Sequence, residues 1–276
     1  MNFEFFKETL RQRYKIDLNA YKETQMKRRL DSLMAKKKMR TGSYEEVLDW
    51  LAKDKNALVE FMDTLTINVS EFFRDKHAFD VLENQVLPSI LAAKNSLRIW
   101  SAACSVGAEP YSIAIILDEK TPGRRHVIEA TDIDQSVLAA AALGRYGPEQ
   151  VRNVAPGRLA KYFKKQGSHY YLDERIKKSV HFRRHDLLVD PFGSDYDLIV
   201  CRNVTIYFTR EAQGKLNEKF YRALAPGGYL FIGASEMIFN YRELGYEKKH
   251  SCFYQKGAGV KGVSSDSVKR NRQHLF

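Results

Sequence analysis

A chain of 276 residues with 44% hydrophobic, 29% charged and 12% aromatic residues has the composition of a soluble globular protein, which excludes a disordered or fibrous one. Its length predicts a main domain of about 180 residues with a smaller companion. The net charge of +11 asks for an acidic partner, and nucleic acid, an anionic membrane surface and an acidic protein all qualify.

The N-terminal segment, Met1 to Tyr14, carries Glu4, Lys7, Glu8, Arg11 and Arg13 among its apolar residues, so it lacks the uninterrupted apolar core of a signal peptide. Apolar stretches such as Ile113 to Leu117 and Tyr229 to Ile232 fall far short of the roughly 20 residues that cross a bilayer. A cytoplasmic protein with no membrane insertion is expected. Charge is unevenly spread: Met1 to Arg40 holds 12 Lys/Arg against 5 Asp/Glu, and Thr41 to Asp75 holds 3 against 8. Within the basic region, Met26, Leu30, Leu33 and Met34 form the apolar stripe of an amphipathic helix. Lys27, Arg28, Arg29, Lys36, Lys37 and Lys38 fall mainly off that stripe, as a solvated face or a docking face for acidic protein. Ser43 to Glu46 reads as a capping box that opens another helix through Val47, Leu48 and Leu51, and Leu58, Phe61, Met62 and Leu65 continue helical spacing. Residues 1–75 are therefore expected to form an all-helical domain.

Beyond them the pattern is α/β. Leu97 to Ala102, His126 to Thr131, Asp197 to Cys201 and Gly228 to Gly233 are short, continuously apolar runs separated by helical stretches, as in a parallel sheet with crossover helices. Between Arg158 and Phe182 a Gly167-Ser168 turn flanked by Lys164 to Gln166 and Tyr170 to Leu172 predicts a small antiparallel β insertion. The tail, 257–276, is expected to be disordered. Cys104, Cys201 and Cys252 are too few and too scattered for a disulfide framework or a metal site, and the seven histidines include no HExxH pattern, so no metal is expected.

In a parallel sheet, ligands bind outside the carboxyl ends of the strands. The first run ends in the small-residue turn Ser101 to Ser112, which lets backbone approach a ligand closely. The second ends in Thr131-Asp-Ile-Asp134, where a strand-end acid suits the hydroxyls of a ribose; Asp134 is the better candidate for a helix N-cap.

With Asn68-Val-Ser-Glu-Phe-Phe-Arg-Asp75, Cys104-Ser-Val-Gly-Ala-Glu-Pro-Tyr-Ser112, Ala130-Thr-Asp-Ile-Asp134, Cys201-Arg-Asn-Val-Thr-Ile-Tyr-Phe208, Leu224-Ala-Pro-Gly-Gly228 and Gly233-Ala-Ser-Glu236, the chain resembles the CheR-type chemotaxis receptor glutamate methyltransferases from its N-terminus to about Tyr254. The resemblance implies a class I, Rossmann-like methyltransferase domain over residues 76–256, with a β subdomain near 158–182 and a receptor-docking helical domain before it. It implies S-adenosylmethionine as donor and S-adenosylhomocysteine as product. Asn68, Ser70, Arg74, Ala103, Glu109, Asp132, Asp186, Leu187, Arg202 and Asn203 are then cofactor-binding, with Glu109 at the amino-acid portion, Asp132 at the ribose and Asp186 at the adenine. Arg74 and Tyr207 are catalytic: the guanidinium grips the acceptor carboxylate and the tyrosine faces the sulfonium. Partners are receptors with acidic methylation helices, met by the basic helix, and the enzyme is expected to be a monomer. Val106 and Ala108 stand where many members carry Thr and Glu, and Ser70 where Thr is common.

Two rivals are weaker. A nucleic-acid methyltransferase lacks support because there is no Asn/Asp-Pro-Pro-Tyr element and no interleaved aromatic and basic groove pattern. A non-catalytic adaptor has only Val106 and Ala108 in its favour.

Overall fold

Four amphipathic helices open the chain in the computed structural model, which describes residues 1–54, 56–65 and 70–257: α1 (Phe3–Tyr14), α2 (Glu23–Lys36), α3 (Tyr44–Lys53) and α4 (Ala57–Leu65). The expected stripe of α2 is buried through Met26, Leu30, Leu33 and Met34, and it packs with Phe6, Leu10, Val47, Leu51 and Phe61 into a core of the helical domain's own. In α4, Phe61 and Leu65 point inward as expected, but Leu58 is exposed, and Ala57 takes the inner position instead. The predicted capping box does not close. Ser43 makes no side-chain cap; the Glu46 carboxylate instead accepts from the Arg40 backbone N–H and Nε and from the Ser43 side chain.

Among the described residues, ten strands form two sheets: β1 (Arg98–Ala102), β2 (Val127–Asp132), β3 (Arg145–Tyr146), β4 (Phe163–Gln166), β5 (His169–Leu172), β6 (Val180–Arg184), β7 (Tyr196–Cys201), β8 (Leu224–Ile232), β9 (Tyr246–His250) and β10 (Phe253–Lys256). The large sheet has the order β6-β2-β1-β7-β8-β10-β9. Its first five strands run parallel, and β10 and β9 close it antiparallel. This is the class I, Rossmann-like methyltransferase arrangement. The four predicted strands are β1, β2, β7 and β8. All six residues of β7 are buried, which is why that run is continuously apolar. One apolar layer gathers Ile99, Ile113, Ile116, Leu198 and Phe231, and the opposite layer gathers Trp100, Ile199, Leu216, Phe220 and Leu230.

The small sheet, β3-β5-β4, is antiparallel. It contains the predicted hairpin but begins earlier, since β3 at Arg145–Tyr146 supplies a third strand. It also ends earlier than 182: Phe182 lies in β6 of the large sheet, paired with Ala130. The division at residue 75 shifts too, because Phe72 and Phe73 are buried in the sheet domain's core, with Phe72 edge-on to Tyr146 and Phe163. The three cysteines are buried and free. No described helix is long and apolar enough to cross a membrane. Apart from Gly257, the predicted disordered tail lies outside the described residues.

Candidate functional site

The chain leaves β1, runs outward through β2 to β6, then returns to β7 on the other side of β1. Adjacent connections thus diverge between β1 and β7, which opens a crevice at their carboxyl ends. A cavity occupies that crevice, and Ser70, Arg74, Ala103, Glu109, Asp132, Asp186, Leu187, Arg202, Asn203 and Tyr207 all line it. These are the expected cofactor-binding and catalytic residues with the exception of Asn68, which lies outside the described residues.

The turn after β1 is shaped by backbone conformation. Ala103 and Ser105 have φ of 63° and 50°, in the left-handed region, and Gly107 has 81°. A Cβ on Gly107 would lie 2.9 Å from that of Ala141, so glycine serves both the bend and the close packing here. The turn is pinned to β2 by hydrogen bonds from Cys104 N to Thr131 O at 2.9 Å and from Ser105 N to Asp132 Oδ2 at 2.8 Å.

Asp132 is buried at the end of β2, and its Oδ1 also accepts from Asp134 N at 3.1 Å. Burial pushes its carboxyl above the usual range, against the pull of these N–H donors. Asp134, as expected, caps the next helix by accepting from Ser136 N and Val137 N.

Glu109 sits in the first turn of the helix Ala108–Lys120 and accepts from Ser101 Oγ at 2.9 Å and Arg202 Nη1 at 3.4 Å. Burial raises its carboxyl as well, and Arg202 and Ser101 oppose that shift. Arg202, just past β7, ties three pieces together. Its Nη2 donates to Arg74 O at 3.0 Å and lies 3.7 Å from Asp75 Oδ2, while its guanidinium stacks 4.5 Å from the Phe231 ring centre. At the far end, Asp186 Oδ1 accepts from Leu188 N at 2.9 Å, which fixes the turn after β6.

The helical domain supplies part of the same wall, which local sequence pattern did not reveal. Tyr21 and Arg29 both line the cavity. Arg29 was grouped with the basic docking face, but it is buried; its guanidinium carbon lies 4.3 Å from the Tyr207 ring centre. The segment before α2 is strapped to the loop after β7. Lys22 N donates to Tyr207 O at 2.9 Å, Lys22 Nζ to Ile206 O at 2.8 Å, and Thr209 N to Ala20 O at 2.8 Å, with Tyr21 edge-on to Phe208.

The other basic residues on α2 and in the turn after it lie away from the cavity. Lys27 pairs with Glu23, Lys36 and Lys37 pair with Glu60, and Lys37 also covers Trp50. Arg28 and Lys38 are exposed. His185 is a further cavity residue that sequence reasoning missed; Arg183 Nη1 donates to its Nδ1, and burial lowers its pKa.

Comparison with known proteins agrees with this architecture. Residues 1–66 match the family model described as CheR methyltransferase, all-alpha domain, and residues 68–252 match CheR methyltransferase, SAM binding domain. The chain is 42% identical over 256 residues to a chemotaxis protein methyltransferase of Listeria monocytogenes, covering 92% of this chain and 97% of that protein. It is 37% identical over 252 residues to chemotaxis protein methyltransferase 1 of Pseudomonas aeruginosa, covering 87% and 91%. It is 37% identical over 245 residues to a chemotaxis protein methyltransferase of Borreliella burgdorferi, covering 84% and 86%. On two family models that together span nearly all the described residues, and on relatives matched over almost their full length, the chain belongs to the CheR methyltransferase family.

Proposed function

We propose that this S-adenosylmethionine-dependent methyltransferase of chemotaxis esterifies glutamate side chains of chemotaxis receptors, acting as a cytoplasmic monomer. The observation that carries this reading is the meeting of opposite charges and an aromatic face in one crevice at the carboxyl ends of the strands, which is lined by Glu109, Asp132 and Asp186 together with Arg74, Arg29 and Tyr207.

The cavity residues fit the donor. Arg202 Nε and Ser105 Oγ are buried without a hydrogen-bond partner among the described residues, which a polar ligand would satisfy. Glu109 suits the ammonium of the donor's amino-acid portion. Asp132 has lone pairs left for a ribose diol, and Asp186 with Leu187 closes the adenine end. Ser70, Arg202 and Asn203 complete the wall.

When bound, S-adenosylmethionine supplies an electrophilic methyl group on a sulfonium. A glutamate carboxylate with a free pKa of about 4.3 is already ionised at neutral pH, so no residue need act as general base. The protein's task is to strip water from the carboxylate and hold one oxygen in line with the methyl. Arg74 grips the acceptor by charge-assisted hydrogen bonds. Tyr207 offers its π-face to positive charge. The first 66 or so residues dock the acidic methylation helix through Arg28 and Lys38, with Lys27, Lys36 and Lys37 adding positive potential.

The test uses receptor-containing membranes and donor labelled on its methyl group, followed by mild alkali and collection of volatile methanol. Base-labile label on the receptor is expected. Intact donor binding with no alkali-labile label on any receptor would overturn the glutamate-ester reading.

A further inference from the structure

The motif Gly233-Ala-Ser-Glu236 follows β8 and does not line the cavity. Its Glu236 carboxylate nevertheless accepts five hydrogen bonds. Oε1 receives Val204 N at 3.1 Å, Thr205 N at 2.8 Å and Thr205 Oγ1 at 2.6 Å. Oε2 receives Asn203 N at 2.9 Å and Gly233 N at 2.7 Å.

Three consecutive backbone N–H groups of the loop after β7 thus converge on one anion, the arrangement of an anion-binding nest filled by the protein's own side chain. Asn203 takes a φ of 60°, in the left-handed region, a conformation that costs energy unless its surroundings enforce it. Thr205, which donates two of the five bonds, begins the 3-10 turn Thr205–Tyr207. Space for the contact depends on Gly233, where a Cβ would lie 2.8 Å from Glu236 Oε2 and 2.9 Å from Asn203 Nδ2.

We infer that Glu236 is a positioning residue: its carboxylate fixes the backbone of residues 203–205 and so presents Asn203 and Tyr207 to the cavity. The inference rests on the reading of those two residues as parts of the donor and reaction site. Glu236→Gln is the informative change, because it keeps shape but turns an NH₂ toward backbone donors that need an acceptor.

Three quantities are measured on the full chain: donor affinity by calorimetry, kcat on receptor membranes, and hydrogen exchange at the Asn203, Val204 and Thr205 amides. Misplacement of a reacting group by about 1 Å costs on the order of 100-fold in rate. Glu236→Gln is therefore expected to lower kcat about 100-fold, to weaken donor binding by a smaller factor, about 10-fold, and to speed exchange at the three amides. In an Asn203→Ala/Tyr207→Leu background the same change is expected to alter kcat and donor affinity less than about 3-fold, since the groups it positions are gone.

Equal fold-losses in both backgrounds would overturn the inference, as would a lowered Tm with unchanged kcat per folded molecule. If Asn203→Ala/Tyr207→Leu is itself silent, the roles given to those residues fail. Amide exchange then still decides whether Glu236 holds the loop: unchanged exchange would overturn the inference. Should the glutamine variant not fold, Glu236→Asp, which keeps the charge at shorter reach, carries the same measurements and the same expected directions.

Discussion

Arg29 of α2 stacks its guanidinium 4.3 Å from the ring centre of Tyr207, in a loop almost 180 residues further along the chain. A desolvated cation over an aromatic face contributes about 2 kcal/mol. A double-mutant cycle of Arg29→Met and Tyr207→Leu, read by denaturant unfolding, is expected to give a coupling of about 1–2 kcal/mol. A coupling indistinguishable from zero would show that the two side chains are merely adjacent.

Arg74 and Asp132 line the same cavity and are expected to fail differently. Arg74→Ala should abolish most turnover while donor affinity stays near that of the unaltered protein. Asp132→Asn should weaken donor binding about 10- to 100-fold, the range for losing a charged hydrogen-bond acceptor. Calorimetry with S-adenosylhomocysteine, set beside initial rates on receptor membranes, separates the two; unchanged turnover in Arg74→Ala rejects its catalytic role.

The burial of Arg29 confines the proposed docking charge to the outer face of α2 and the turn after it. Reversing Arg28 and Lys38 together, as Arg28→Glu and Lys38→Glu, should raise the KM for receptor several-fold, with less effect at high salt, and leave donor affinity unchanged. Reversing Arg29 should instead damage stability and turnover together. If Arg28 and Lys38 reversal left receptor KM untouched at low salt, the docking face would have to be sought elsewhere.

His126 and His185 are both held below the ordinary histidine range, chiefly by burial. Each is neutral in the folded state at pH values where the unfolded chain has bound a proton. Their contribution to stability is therefore complete above about pH 6.5 and is lost as pH falls through their lowered folded values. The Tm should fall on acidification below about pH 6.5, and His126→Gln should make that fall shallower. Glu109 and Asp132 act with the opposite sign, because burial raises both. Donor affinity should accordingly start to weaken at a higher pH than an ordinary carboxylate would dictate.

Legibility in the sequence followed burial. β1, β2, β7 and β8 lie in the interior of the sheet and read as continuous apolar runs. Edge strands do not: β6, Val-His-Phe-Arg-Arg, exposes three of its five residues, and β9, Tyr-Glu-Lys-Lys-His, also exposes three. β3 has two residues and no periodicity to detect. Asp132 was recognisable because a strand-end acid has a local context, whereas Glu109, in the first turn of the helix Ala108–Lys120, was reached only through the family resemblance. Tyr21 and Arg29 were not recognisable, since their place in the cavity comes from contacts between distant segments. The pairing of Glu46 with Arg40 likewise replaced a capping pattern that was correct in letters only.

The strap between Ala20–Lys22 and the 206–209 loop means that the two family domains are separable in sequence but not in space. A chimera that exchanged only the first 66 residues with a relative would set a foreign strap and a foreign α2 against the native Tyr207 loop. Interchangeable halves would have to carry residues 203–209 along with the helices, as the unit that travels together.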